Sequence, residues 1–268
     1  MVNLKGLLKS KIPEDEIPKS FDIIGNIAIF SKLSKKIKKQ KLIAKSLLKI
    51  NKNIKTVLLK IKDFSGIYRL PKYKILDGIK TKETIHKENN CIFKLNVEKC
   101  YFSPRLSYER LRIAKQIKNN EIILVMFSGI GVYPIVISKN SKAKEIYGIE
   151  INPIAHEYAL ENLRLNRINN IKLFRGNVKK ILQKIKIKFD RIIMPAPKNS
   201  ENYLSLVKKN IKKSTIIYFY DFSQEKDFPE KTISKIKKYF KKIKVLNYVK
   251  CGNVSPYNYR VCVEFQYL

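Results

Sequence analysis

The sequence predicts an α/β fold: a doubly wound, mostly parallel sheet with an antiparallel edge strand, preceded by a small α+β domain. Three observations lead there. From residue 121 onward, short apolar runs alternate with helix-compatible segments, the rhythm of strand–helix–strand units. The first apolar run, residues 122–127, breaks into Ser128-Gly129-Ile130-Gly131, and the next, residues 146–149, ends on the acid Glu150. Before residue 100 the pattern differs, with β-rich segments and one lysine-studded amphipathic stretch. These shifts divide the chain into an arm (residues 1–20), a small α+β domain (21–99) and a large α/β domain (100–268).

Residues 1–20 are punctuated by Lys, Pro13 and Pro18, and read as a loosely held arm. Residues 21–30 read as two short strands around Gly25-Asn26. Between residues 23 and 62 there are twelve lysines and no acid. Within that span Ile37, Ile43, Ala44, Leu47 and Leu48 fall near helical spacing, which predicts an amphipathic helix over 34–50 with a lysine face. Residues 54–100 read as β-ribbon, with strands at 56–59, 66–69 and 92–97 and turns at Asp77-Gly78 and Asn89-Asn90. Ser103 is a good N-cap with Pro104 at the first helical position, and Leu106, Leu111, Ile113, Ala114 and Ile117 give the next helix its apolar positions.

In the large domain, residues 122–127, 146–149, 171–174, 189–194, 215–220 and 244–249 read as successive strands, with a last one at 259–265. Helices are expected after Gly131, from Asn152-Pro153 to about 166, over 199–210 and near 230–240. The glycines allow backbone to approach a ligand where a Cβ would clash, and the following helix begins with free N–H groups. An acid about 20 residues beyond such a turn is placed to accept both hydroxyls of a ribose. The turn lacks GxxxxGK[ST], so it is not a phosphate-gripping P-loop. The strand–turn–helix–strand–acid order therefore points to a nucleotide site at the carboxyl ends of the strands.

Composition narrows the partners. Lys and Arg number 57 against 22 Asp and Glu, a formal charge of +35. Acids do not keep pace with the lysines, so a polyanion is expected, nucleic acid before membrane. Four cysteines (Cys91, Cys100, Cys251, Cys262) show no C-x-x-C pairing, and two histidines, His86 and His156, supply little for a metal. We expect no metal cofactor, a reducing compartment, no membrane span and a cytoplasmic protein.

The glycine turn resembles the first motif of class I S-adenosylmethionine-dependent methyltransferases. Further strings sharpen the resemblance: residues 21–28 (Phe-Asp-Ile-Ile-Gly-Asn-Ile-Ala), 66–69 (Gly-Ile-Tyr-Arg), 101–110 (Tyr-Phe-Ser-Pro-Arg-Leu-Ser-Tyr-Glu-Arg), 126–131 (Met-Phe-Ser-Gly-Ile-Gly), 149–153 (Ile-Glu-Ile-Asn-Pro) and 190–194 (Asp-Arg-Ile-Ile-Met). On these the chain resembles the archaeal and eukaryotic tRNA (guanine-37, N1)-methyltransferase family, and looks closest to its archaeal wyosine-pathway branch. The resemblance implies a Rossmann-like methyltransferase domain behind the small domain, S-adenosyl-L-methionine as cofactor, and the anticodon stem-loop of a tRNA, tRNA-Phe in the wyosine pathway, as partner. It covers residues 21–268; the family's frequent extra N-terminal domain has no counterpart in this chain.

The resemblance also implies roles. Glu109 matches the family's proposed general base and Arg69 the arginine that orients the target base. Arg105 lies in the same motif and is expected to touch target nucleotide or phosphate. Arg110, Glu150 with Ile151, and Asn177 with Val178 match cofactor contacts, as do Phe127 and Gly129 of the turn; Tyr101 and Phe102 are expected to pack against cofactor or flipped base. By charge spacing alone Glu109 also reads as an i,i+3 partner on a solvated helix. Departures are Val125 and Asn177 where the family has acids, and residues 195–197 (Pro-Ala-Pro) where the guanosine-methylating branch begins with Asn. Pro195 offers no side-chain amide, which favours C7-methylation of 4-demethylwyosine over N1-methylation of guanosine. The alternatives are the N1 reaction, alone or as a second activity, transfer of the cofactor's aminocarboxypropyl group, and a non-catalytic RNA-binding protein.

Overall fold

The computed structural model describes residues 4–195 and 200–268. It falls into two compact units, Met1–Glu88 with Ile92–Pro104, and Asn89–Cys91 with Arg105–Leu268.

The first unit begins with α1 (Leu4–Leu8), β1 (Asp22–Ile24), β2 (Ile27–Phe30), α2 (Ile37–Ile50), β3 (Thr56–Ser65) and β4 (Leu70–Gly78), the strands forming one sheet in the order β1-β2-β3-β4. β1 and β2 make the expected hairpin at Gly25-Asn26. Gly25 has φ +56, and a Cβ there would lie 2.2 Å from Thr84 Oγ1 and 2.3 Å from the Ile85 carbonyl oxygen, so only glycine fits. β2 and β3 run parallel, which requires a crossover, and α2 supplies it. Its buried face, Ile43, Ala44 and Leu47, packs with Phe30, Val57 and Leu59. Lys38, Lys41, Lys45 and Lys49 stand exposed along its other side.

Two expectations are corrected here. Residues 1–20 are not a loose arm throughout: Leu8, Ile12 and Ile17 are buried in the same core, because three apolar side chains outweigh the polar residues between them. Residues 66–69 are not a strand but the turn joining β3 to β4, with left-handed backbone at Gly66 (φ +71) and Arg69 (φ +52). The hairpin β5 (Glu83–Glu88) and β6 (Cys91–Asn96) follows, turned by Asn89 and Asn90 at φ +48 and +61 as their composition predicts.

The second unit runs α3 (Ser107–Gln116), β7 (Ile122–Met126), α4 (Val132–Asn140), β8 (Glu145–Glu150), α5 (Pro153–Leu165), β9 (Ile171–Arg175), α6 (Val178–Lys184), β10 (Phe189–Met194), β11 (Ile211–Gln224), α7 (Glu230–Lys237), β12 (Ile243–Ser255) and β13 (Asn258–Tyr267). A 3₁₀ turn, Pro104–Leu106, precedes α3, so the α-helix starts later than Ser103 and Pro104 predict. The seven-stranded sheet has the order β12-β13-β11-β10-β7-β8-β9. Pairing is parallel from β11 through β9, while β13 is antiparallel to both neighbours. The antiparallel strand thus sits one place in from the edge, and β12 is outermost. The expected helix over 199–210 is instead two 3₁₀ turns, Ser200–Tyr203 and Leu206–Asn210. α6 is a helix the periodicity did not reveal, since seven residues hold too few turns to show a face.

β7 is flanked by β8 on one side and β10 on the other, so the chain reverses its winding there. Ligands of open α/β sheets bind outside the carboxyl ends of the strands at such a switch point. Among the described residues no helix is long and apolar enough to cross a membrane.

Candidate active site

Residues 127–131 leave the carboxyl end of β7 in a turn of unusual backbone. Phe127, Gly129 and Gly131 have φ of +57, +57 and +83, three left-handed residues in five. Glycine takes this region freely; Phe127 does so at a cost, and its ring is held edge-on to Tyr203 at 4.9 Å between centroids. A Cβ on Gly131 would come within 3.2 Å of Ile135 and 3.3 Å of Ala159, so α4 and α5 close in tightly where the helix starts.

Glu150 ends β8 beside this turn and is buried. One carboxylate oxygen accepts from the Gly129 N–H at 2.7 Å and the other from the Asn152 N–H at 2.7 Å. Burial pushes its pKa above the ordinary carboxylate value, while these amides and that of Ile151 pull the other way. Asn152 in turn caps α5, accepting from the N–H groups of Ile154 and Ala155 with Pro153 at the first turn. The acid is therefore oriented by backbone amides, and three such donors leave part of the carboxylate's lone-pair capacity unused.

Asn177 follows β9 and caps α6 by accepting from the Lys179 N–H at 2.9 Å. Its side-chain oxygen is engaged in the cap; Val178 is buried beneath. Ser128 is buried, and its Oγ has no hydrogen-bond partner among the described residues, an unusual state for a hydroxyl. A left-handed glycine turn, an acid with spare lone pairs and an orphaned hydroxyl, all at the switch point, fit the ribose and amino-acid ends of an adenosyl cofactor. Pro195, at the carboxyl end of β10, is half-buried at the same edge of the sheet; Ala196 and Pro197 lie outside the described residues.

α3 places a second acid on the opposite kind of support. Glu109 is only 3% exposed. Arg112 grips it with two bonds, Nε to Oε2 at 2.6 Å and the terminal nitrogen to Oε1 at 2.8 Å. The Tyr220 hydroxyl donates to Oε1 at 2.5 Å and itself accepts from Tyr133 at 3.1 Å. Arg112 also pairs with Glu264 on β13. Burial raises the pKa of Tyr220 well above the usual phenol value, with nearby Tyr133, Cys262 and Glu109 adding to it. The i,i+3 pairing read from sequence is thus present, but in the interior rather than on a solvated face. Arg110 is buried and Arg105 exposed.

In the first unit, Arg69 stacks its guanidinium over Tyr101 at 4.9 Å, and Phe64 meets the same ring edge-on at 5.1 Å. Phe102 packs edge-on against His86, whose Nδ1 accepts the Gly25 N–H. Arg69, Tyr101 and Phe102 therefore belong to the first unit, and the remaining expected site residues to the second. Sequence reasoning missed Tyr133, Tyr220 and Glu264. One signal was present: Tyr218 and Tyr220 alternate on a strand and so share the face that α3 covers.

Comparison with known proteins gives this geometry a family. Residues 84–247 match the model of the TRM5/TYW2 methyltransferase domain, and residues 4–81 that of the TYW2 N-terminal domain. The tRNA (guanine(37)-N(1))-methyltransferase Trm5b of Pyrococcus abyssi is 35% identical over 93% of this chain and 75% of its own length. The tRNA 4-demethylwyosine(37)-methyltransferase Taw21 of Saccharolobus solfataricus is 32% identical over 98% of this chain and 99% of its own. A tRNA(Phe) (4-demethylwyosine(37)-C(7)) aminocarboxypropyltransferase from Methanocaldococcus jannaschii is 34% identical over 80% of this chain and 86% of its own. Among solved structures, M. jannaschii TYW2 in complex with AdoMet superimposes with a TM-score of 0.69 at 28% identity, covering 93% of this chain and all of that one. With fold, strand-end geometry and both sequence matches in agreement, the chain belongs to the TRM5/TYW2 methyltransferase family.

Proposed function

We propose that this chain, by family an S-adenosylmethionine-dependent tRNA methyltransferase, acts on position 37 of tRNA-Phe and methylates C7 of 4-demethylwyosine. The observation that carries the reading is the match of residues 4–81 to the TYW2 N-terminal domain, joined to the Taw21 relative that aligns along nearly the whole chain. Pro195 supports it from the site: it can neither donate nor accept across a guanine edge, and its fixed φ makes a stiff apolar wall on which a tricyclic base packs.

Glu150, residues 127–131 and Val178 at the carboxyl ends of β7 and β8 would hold the cofactor, with Glu150 accepting from the ribose hydroxyls through the lone pairs its amide partners leave; when bound, it would supply an electrophilic methyl group. Arg105 orients the target nucleotide, which must leave the anticodon-loop stack to be reached. Glu109 takes the proton that the acceptor ring atom loses as the new bond to carbon forms. Arg112 and Tyr220 fix where its oxygens point, so that positioning supplies much of the acceleration.

The test is a pair of single-turnover reactions on tRNA-Phe bearing guanosine or 4-demethylwyosine at position 37, followed by mass analysis of the nucleosides. We expect a single methyl on the tricyclic base at the faster rate. Faster methylation of guanosine establishes the second reading, N1 transfer, which the 35%-identical Trm5b relative favours. A larger mass increment identifies aminocarboxypropyl transfer and overturns the methylating assignment.

A further inference from the structure

β10 stops at Met194, opposite Phe219, yet β11 runs on to Gln224 and β13 stays paired with it to Asn258. The ribbon thus projects five residues, roughly 17 Å, past the parallel strands at the end of the sheet where the cofactor site lies. The turn closing β12 and β13 is Pro256-Tyr257, and Tyr257 sits at φ +58, a position that tight turns normally give to glycine or asparagine. Tyr257 is 74% exposed. Most of this residue faces solvent while it bears the left-handed strain, and strain held at an exposed residue points to function. The Glu225 N–H donating to the Tyr257 carbonyl oxygen at 2.9 Å holds the turn in place.

A cleft of about 490 Å³ opens beside this ring, lined by Gln224, Glu225, Lys226, Pro256, Tyr257 and Asn258. That volume lies within the usual range of small-ligand sites, roughly 300–1,000 Å³. Glu225 is already paired with Lys250 at 2.7 Å, and Lys250 also lies over the Tyr259 ring at 4.7 Å. Arg260 lies over Phe222 at 5.3 Å on the same ribbon. Lys226 is the cation of the cleft itself, and Lys250 and Arg260 place two more beside aromatic rings on the ribbon, with Glu225 answering Lys250. Aromatic faces interleaved with cations are the means by which proteins hold unpaired nucleotides, stacking on the base and tracking the phosphates.

We propose that the Tyr257 cleft binds an unpaired nucleotide of the tRNA beside the one that enters the active site. Tyr257 stacks on its base, the Gln224 and Asn258 amides meet the base edge, and Lys226 meets a phosphate. The proposal rests on the tRNA reading above and adds a subsite to it.

Tyr257→Gly tests it cleanly, because glycine relieves the backbone strain while removing the ring. In the full chain we expect an unchanged or higher thermal midpoint and unchanged S-adenosylmethionine affinity by calorimetry. Affinity for an anticodon stem-loop RNA, read by fluorescence anisotropy, should fall roughly 5- to 100-fold, the range for losing one stacked base. Tyr257→Phe should stay near wild type. A photoreactive 4-thiouridine in the anticodon loop should crosslink to the β12–β13 turn. Wild-type RNA affinity and KM in Tyr257→Gly overturn the subsite while leaving the methyltransferase reading intact. A parent chain that binds no anticodon stem-loop overturns both.

Discussion

Two buried acids in the second unit are held in opposite ways. Glu150, at the end of β8, is fixed only by neutral backbone amides from the glycine turn and from Asn152. Glu109, on α3, is fixed by the Arg112 guanidinium and the Tyr220 hydroxyl. Amides bend around a carboxylate without neutralising it, so burial wins at Glu150 and its pKa rises. At Glu109 a full charge and a phenol satisfy both oxygens and tie three elements, α3, β11 and β13, into one network. The contrast separates a carboxylate oriented by neutral backbone donors from one oriented by a guanidinium and a phenol on distant elements.

The largest expected effect breaks the Glu109 side. Glu109→Gln should slow single-turnover methyl transfer by about 10²- to 10⁴-fold, the usual range for losing a proton acceptor, with S-adenosylmethionine affinity nearly unchanged. Glu109→Ala should in addition lower stability in urea unfolding by about 3 kcal/mol, because Arg112 and Tyr220 lose a buried partner while Glu264 still compensates part of the charge. Normal turnover in Glu109→Gln, with only the stability loss in Glu109→Ala, makes this acid purely architectural.

Next comes Glu150. Glu150→Ala should weaken S-adenosylmethionine binding at least about tenfold in titration calorimetry, since hydrogen bonds to a charged acceptor are worth roughly 1.5–3 kcal/mol each. Its pH dependence sharpens the comparison. A carboxyl whose folded pKa is raised binds its proton more tightly in the folded than in the unfolded state. Its contribution to stability is therefore full below the unfolded value of 4.5 and is lost as pH rises through the raised folded value. Hydroxyl donors favour the ionised form, so cofactor affinity should climb over the same window in wild type and stay flat in Glu150→Gln. A flat wild-type profile removes Glu150 from the ribose site.

A smaller effect concerns the first unit. Lys39 pairs with Glu16 at 2.6 Å and so is not part of the free lysine face. Replacing Lys38, Lys41, Lys45 and Lys49 of α2 by Gln should flatten the slope of log tRNA affinity against log salt by up to about 0.9 for each phosphate left without its lysine. An unaltered slope identifies the row as a solvated face. The smallest effect is Tyr133→Phe, which removes one hydrogen bond from the periphery of the Glu109 network. It should cost about 1 kcal/mol in urea unfolding and leave cofactor affinity untouched.

Much of the strand-end geometry was legible because its signals are local. Gly129 and Gly131 are needed where the backbone turns left-handed, and Glu150 falls one strand later, so a short string of letters fixes both. The Asn89-Asn90 turn, the α2 crossover helix and the cap Asn152-Pro153 were readable for the same reason. The 3₁₀ turns over 200–210 and the turn at 66–69 were not: apolar residues at near-helical or strand-like spacing say nothing about which backbone the neighbours will leave room for.

What the sequence determined by itself is therefore the order of strands and helices, the strand-end turn with its acid, and the excess of positive charge, each set by residues close together in the chain. Tertiary structure alone decided that Glu109 is interior, since its partner Tyr220 stands 111 positions away and Glu264, which shares the Arg112 guanidinium with it, 152 positions from that arginine, and no local pattern pairs them. It also decided that β13 inserts between β11 and β12, carrying the Pro256-Tyr257 turn out past the end of the sheet. The physical reason is common to both. Hydrogen bonds between distant segments are chosen by which faces the packed core brings together, and that choice is made only when the chain has closed on itself.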